Sequence, residues 1–315
     1  MTIDALSVKQ SAKAIIYRKD GKILMQQRDY SENLPFRGMW TFFGGTINKN
    51  ENLKNGLKRE LKEELNFFPK KIDKELFLWK WKSSWYHSNN HFFPVFYDGR
   101  KKLTLKEGIS MKWFTLEDYV KNPIAPDVYE NFHEIYNFLL NKKYIKKTEL
   151  RNIEKFILKF GNFIKKNNRV YYSSQNICDL SRQEIFLLKN IATLRKERIF
   201  RVCMHVNDKS QTHEMLIMHI LPVKVGPLKQ KKSFLSYHII EGEIFIKTYD
   251  NNGNKKSEHQ LSTYEGSQFL RLEADKYRSI TTLSPFAIFL EVANGPFKDD
   301  DTIWYNPNSH ISFKK

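Results

Sequence analysis

Three glutamates, Glu60, Glu63 and Glu64, stand in the run R-E-L-K-E-E that begins at Arg59. In an α-helix, residues three and four apart share a face, so the three carboxylates fall within an arc of roughly 100°. Like charges at that spacing repel and weaken the helix. A bound divalent cation is the natural offset, because hard cations such as Mg²⁺ take oxygen ligands and usually arrive with substrate phosphates. Lys58 and Lys62 lie beside the same acids, and a Glu/Lys-rich helix is also the composition of a plain solvated face. What surrounds the hexamer has to separate the two readings.

The same helix carries Leu53, Leu57 and Leu61 at every fourth position, an apolar stripe that would fix it to a core while the acids face a neighbouring direction. Upstream stand Gly44 and Gly45; Glu51 follows Gly45 after five residues, and Arg59-Glu60 follow after seven more. This spacing resembles the Nudix box, G-x5-E-x7-R-E-U-x-E-E-x-G-U, where U is a bulky apolar residue. Gly45, Glu51, Arg59, Glu60, Leu61, Glu63, Glu64 and Phe67 match it, and Asn66 stands where the family has glycine. That position ends the helix, and Asn is the residue after Gly that best tolerates a left-handed cap.

The resemblance covers roughly residues 8 to 142 and implies an α+β domain, an α/β/α sandwich, over residues 1–142. It implies a pyrophosphohydrolase acting on acid anhydrides with Mg²⁺ or Mn²⁺. Glu60, Glu63, Glu64 and the Gly45 backbone would hold the metal, with Arg59 fixing the carboxylates. Gly44 and Glu51 would support the loop, and Glu107 is a candidate further acid.

Around the box the chain alternates strand and turn. The run AKAIIY, the Asp20-Gly21 turn signal and the run ILMQQR make a hairpin over 11–27. Gly44-Gly45 allows a close backbone approach to phosphate or metal, though a Gly pair alone is also a plain turn. ELFLWKWKSSWYHSNNHFFPVFYD reads as two strands with a polar turn at Ser88-Asn89-Asn90. Its aromatic alternation fits cross-strand packing first; Trp85, His87 and, earlier, Arg28 are the candidate substrate contacts. Glu107 to Tyr119 reads as a late strand and a short helix, and a helix starts at Pro126-Asp127.

Residues 143–172 have basic ends around Leu150, Ile153, Phe156, Ile157 and Phe160 at helical spacing. A basic amphipathic helix suits a membrane surface or a partner; a helical connector packed on one side is the simpler role.

From 173 to 315 the sequence reads as short strands bounded by Gly, Asn, Asp and Pro, the pattern of an all-β barrel or jelly roll. R-V-C-M-H at 201–205, H-E-M-L-I at 213–217, H-I-I-E-G-E at 238–243 and L-E-V-A-N-G-P-F at 290–297 resemble the WbuC-type cupins. Those are metalloprotein-like barrels associated with surface-polysaccharide gene sets. Aligned on Glu241-Gly242, this chain has Leu228, Gln230, Leu235 and Arg278 where the family has its metal ligands. Leucine cannot ligate a metal, and arginine does not lose its proton, so a metal-free cupin is expected. His205, His219 and His238 sit on strands, where a lone histidine is usually a satisfied core residue. His238 and Arg278 are the candidate ligand contacts, and the barrel would make a homo-oligomer.

The 315 residues carry 53 Lys and Arg against 35 Asp and Glu, a formal charge of +18. Such a surface attracts anions, but the lysines are dispersed and no nucleic-acid-binding signature accompanies them. Two cysteines, Cys178 and Cys203, exclude a disulfide framework. No apolar run reaches the length of a membrane span, and the first residues lack a signal-peptide core, so a cytoplasmic enzyme is expected. The expected substrate is a nucleoside diphosphate linked to a second group, a nucleotide-sugar or related nucleotide of polysaccharide metabolism. Two alternatives stand beside it: a nucleoside triphosphate or RNA 5′-end pyrophosphohydrolase, and a non-catalytic sugar- or nucleotide-binding regulatory protein.

Overall fold

The structure is a computed structural model; it describes residues 8–31, 35–82, 87–160, 162–305 and 312–313. The chain divides into two compact units, residues 1–156 with 182–190, and residues 157–181 with 191–315. No helix among the described residues is long and apolar enough to cross a membrane.

The N-terminal unit is built on β1 (Lys9–Tyr17), β2 (Ile23–Gln27), β3 (Trp40–Thr41), helix α1 (Leu53–Leu65), β4 (Phe77–Lys82), β5 (His87–Phe96) and β6 (Ser110–Phe114). Short helices α2 (Asp118–Lys121) and α3 (Pro126–Tyr129) and the longer α4 (Phe132–Asn141) follow. The strands form one mixed sheet in the order β3-β2-β1-β5-β4, with β6 on β2. Its centre is the parallel pair β1 and β5, registered from Lys9 opposite Ser88 to Tyr17 opposite Phe96.

Helix α1 forms where the sequence places its signals. Asn52 caps its start by accepting the Asn55 N–H at 2.9 Å. Asn66 ends it at φ 51°, in the left-handed region, and its N–H reaches the carbonyls of Leu61 and Lys62. Leu57, Leu61 and Leu65 are buried against Ala12, Ala14, Phe43, Phe93 and Val95. Each fully buried leucine is worth roughly 1.5–3 kcal/mol, enough to hold the acidic face in place against its own repulsion.

The connection between β4 and β5 falls earlier than the sequence suggests. Ser88, Asn89 and Asn90 are not a turn but belong to β5, and Trp85 lies outside the described residues. Ser88 and Asn90 point inward and bond to one another at 2.9 Å. Inward polar residues imitate a turn in the sequence, because they break the alternation that marks a half-buried strand.

After α5 (Thr148–Phe160) come β7 (Phe163–Lys165), β8 (Val170–Ser173) and α6 (Arg182–Leu194). The remaining strands are β9 (Ile199–Cys203), β10 (Thr212–His219), β11 (Val223–Gln230), β12 (Leu235–Tyr249), β13 (Lys255–Ser262), β14 (Phe269–Leu272), β15 (Tyr277–Asn294), β16 (Thr302–Trp304) and β17 (Ser312–Phe313). Helix α6 sits in a stretch that reads as strand. Its residues Phe186 to Ala192 are buried without a break although they include Lys189 and Asn190, so no one-sided helical period shows in the sequence. The eleven C-terminal strands make one sheet, β13-β12-β15-β10-β9-β8-β7, with β11 on β15 and β14 on β12. Among the described residues this pairing is an open path rather than a closed ring.

Candidate active site

Residues 43–47 run beside β1 as an irregular strand. The Ala14 N–H donates to the Phe43 carbonyl at 2.8 Å, and the Ala12 N–H donates to the Gly45 carbonyl at 3.0 Å. Gly44 has φ +115°, and a Cβ there would overlap the Ala12 carbonyl oxygen; only glycine fits. At Gly45 an added Cβ would lie 2.5 Å from the Glu60 carboxylate. The glycine pair thus lets the backbone pass directly under the acidic face of α1.

Each glutamate of that face has a different setting. Glu64 is buried, 6% exposed. Its Oε2 accepts the Gly44 N–H at 2.7 Å, and its Oε1 accepts from Gln26 Nε2 at 3.3 Å. Burial pushes its carboxyl above the usual range, partly opposed by the nearby Lys13. Glu60 is largely covered and Glu63 about half exposed. Arg59 gathers the set. It donates to Glu51 through Nε at 3.2 Å and Nη2 at 3.1 Å, to Glu60 at 2.8 Å, to Glu63 at 3.1 Å and to the Thr46 carbonyl at 3.1 Å. The Glu51 bond leads in raising the Arg59 pKa further, and Arg59 in turn holds Glu51 below the usual carboxylate range.

A cleft of about 370 Å³ opens over this floor. Glu60, Glu64, Gly44 and Gly45 line it, as do Arg28 and Glu107. Its walls add residues that the sequence does not single out: Lys13, Gln26 and Asp127. Lys13 is buried on β1, donates to the Gly44 carbonyl, and is shifted down, first by burial and then by Arg28. Asp127, at the start of α3, is 5% exposed and pushed up to about 6 by burial, against the pull of Lys13 and Arg28. Its Oδ1 and the Arg28 Nε are both buried without a hydrogen-bond partner. Trp79 and Trp81, stacked with centroids 5.3 Å apart, and Phe36, 5.0 Å from Trp81, form an aromatic wall.

His87 begins β5 and is not among the cleft residues. In the other unit, Arg278 lines a separate cavity, but His238 does not. The two-residue period of β12 turns Tyr237 and Ile239 into the core and His238 the other way, stacked on Phe269 at 4.2 Å. That alternation corrects the expectation that His238 faces inward.

The acidic residues suit a hard cation by donor type, since all offer carboxylate oxygens. They do not converge on one point: among the described residues no three His, Cys, Asp or Glu side chains form a metal-holding group. Arg59 draws Glu60 and Glu63 to one side, while the Gly44 N–H holds Glu64 on the other.

The NUDIX domain family model matches residues 8–134, the range of the sheet, α1 and the cleft. Among solved structures, the MutT protein of Methanosarcina mazei Go1 is similar at 21% identity over 44% of this chain and 99% of that one, with a TM-score of 0.38. The E. coli ORF135 protein is 28% identical over 40% and 86%, TM-score 0.34. The C. elegans Ap4A hydrolase is 21% identical over 42% and 99%, TM-score 0.38. None of the curated proteins compared with the chain matches it. Residues 8–134 are a NUDIX domain, and the chain is an enzyme, a pyrophosphohydrolase by that domain.

Proposed function

We propose that the N-terminal unit hydrolyses the diphosphate of a nucleoside diphosphate joined to a second group, a nucleotide-sugar or related nucleotide in the cytoplasm. The observation that carries this reading is Glu64. It is a carboxylate buried at an energetic cost, pressed against Gly44 and beside Glu60 in a cleft that also holds Lys13 and Arg28. A buried acid raised in this way is stabilised as an anion when a cation joins it.

Glu60, Glu63, Glu64 and the Gly45 backbone would hold Mg²⁺ or Mn²⁺. When bound, the ion polarises phosphoryl oxygens and lowers the pKa of the attacking water. Arg59 keeps Glu51, Glu60 and Glu63 ordered through charge-assisted bonds. Lys13 and Arg28 offset the charge of the diphosphate. Trp79 and Trp81 offer a flat face to the base, and Asp127 a polar contact at its edge. Water oxygen attacks one phosphorus, and the bond from that phosphorus to the bridging oxygen breaks. The water's protons pass to a glutamate and solvent, and a nucleoside monophosphate and a phosphorylated second group leave.

The C-terminal sheet we infer to be a metal-free cupin of jelly-roll type that binds a small ligand or joins two copies of the chain. Its support is positional: Leu228, Gln230, Leu235 and Arg278, where the cupin resemblance sets its ligands, all line one cavity.

The test is release of phosphate and nucleotide from nucleotide-sugars, dinucleotides, nucleoside triphosphates and 5′-triphosphate RNA, with Mg²⁺ or Mn²⁺. Wild type is compared with the double variant Glu63→Gln/Glu64→Gln. Metal-dependent release of a nucleoside monophosphate from a nucleotide-sugar, lost in the variant, is expected. Preference for triphosphates or RNA ends replaces this substrate class. No turnover of any substrate by folded protein leaves a binding protein instead.

A further inference from the structure

The cavity in the C-terminal unit measures about 490 Å³, within the ~300–1,000 Å³ of small-ligand sites. It is built by alternation. Arg201 and Cys203 of β9, His213 and His219 of β10, and Arg278 and Glu291 of β15 all face it. Aliphatic and aromatic side chains such as Ile217 and Phe289 stand between them, together with further polar residues that include Arg198, Asp208 and Gln230.

Several of these polar groups are unspent. Arg201 Nε, His205 Nε2 and His213 Nε2 are buried and have no hydrogen-bond partner. His205 is 8% and His213 5% exposed, and their rings stack 4.1 Å apart. His205 Nδ1 lies 3.1 Å from both the N–H and the carbonyl of Glu214, so Nδ1 is satisfied in either tautomer and Nε2 is the atom left to a ligand. Arg278, 5% exposed, spends Nε on the Tyr237 hydroxyl at 2.7 Å and Nη1 on the Leu228 carbonyl at 3.4 Å. Tyr237 in turn links it to Glu291. Arg201 has no such relay. Among the described residues no carboxylate comes within ion-pairing distance of its guanidinium or that of Arg278. At the rim, Asp208 is occupied by Lys166 and the Tyr172 hydroxyl.

Burying a guanidinium without a counter-charge is expensive, and arginine cannot relieve the cost by losing its proton. Arg201, partly buried with its Nε unpartnered, stands near Arg278 and the unpartnered Nε2 atoms of His205 and His213, a set that suits a negative ligand, and a planar guanidinium fork matches the oxygens of phosphate or carboxylate.

We propose that this cavity is a binding site for a small organic anion, a phosphate monoester or carboxylate on a carbon body of about monosaccharide size. Arg201 and Arg278 would grip the anionic group, with His205 and His213 bonding to it or to a neighbouring hydroxyl. The site lies wholly within the C-terminal unit and does not depend on the hydrolase reading.

The test is calorimetric titration of the full chain in EDTA, which keeps cation-assisted phosphate binding away from the N-terminal cleft. The probes are glucose 1-phosphate, glucuronate, inorganic phosphate and glucose. An anionic sugar is expected to bind, glucose not. Tighter binding of the phosphate ester than of glucuronate names phosphate as the group, and the reverse names carboxylate. Arg201→Gln is expected to weaken binding about 30-fold, the worth of one charge-assisted contact. Arg201→Lys should lose less, and Glu64→Gln nothing. Circular dichroism establishes that each variant is folded; His213→Gln replaces Arg201→Gln if the latter is not. Binding of inorganic phosphate alone, equal binding of glucose, undiminished binding in the folded variant, or no binding at all overturns the proposal.

Discussion

The two concave regions of this chain are near opposites. The N-terminal cleft has carboxylates on its floor, with Glu64 raised by burial. The C-terminal cavity has guanidiniums and imidazoles on its walls, with His219 lowered to about 4, first by burial and then by Arg201. The first holds a buried carboxylate with Lys13 and Arg28 in its lining, the second an unpartnered Arg201 Nε and two unpartnered imidazole nitrogens. Sites that keep a charge or proton balance unfavourable to the empty fold are organised for something that supplies the missing charge.

The strongest way to break this contrast is to neutralise the acid. Glu64→Gln should cut turnover by about 10³-fold, in line with the loss of a charge that stabilises the transition state. Its melting temperature at pH 8 should hold or rise, because the buried charge is gone. A large fall in stability instead would make Glu64 a structural residue. Gly44→Ala tests the floor itself. Left-handed strain and overlap with Ala12 should cost more than about 3 kcal/mol in denaturant unfolding. A tolerated Gly44→Ala would mean that the loop does not hug β1.

Acid should separate the two regions by sign. The folded pKa of His219 lies below its unfolded value, so the C-terminal unit loses stability as pH falls from 6.5 towards 4, by up to about 3 kcal/mol. Asp127 behaves oppositely. Its folded pKa, about 6, lies above the ordinary value of 3.8, so its cost is full above pH 6 and vanishes below about pH 4. Asp127→Asn should therefore stabilise the chain by up to about 3 kcal/mol at pH 8 and by nothing at pH 3.5. Calorimetry across pH would read both, and a stabilisation independent of pH would refute the charge explanation.

What the sequence disclosed follows from periodicity. Helix α1, its Asn66 cap and the neighbourhood of Glu60, Glu64 and Gly45 were legible, because local spacing determines them. Lys13, Gln26 and Asp127 were not. Each is a polar residue turned inward, and only the fold shows that β1, β2 and α3 bring them to one cleft. Ser88 and Asn90 concealed a strand for the same reason. In the C-terminal unit Arg278 was found by its departure from a family pattern. Arg201 stands within a motif but carries no signal of its own, since an arginine on a strand is most often on the surface.

The path of the chain carries one more consequence. Gln183 of α6 bonds to the carbonyls of Tyr119 and Asn122 and to the Ile124 N–H. Asn190 does the same for Tyr129 and His133. These contacts complete the N-terminal unit with residues made after twenty-five that belong to the other, 157–181. During synthesis, then, the catalytic half cannot finish folding when its own domain leaves the ribosome. It waits for α6, so the enzyme matures only after residues 157–181 have been made.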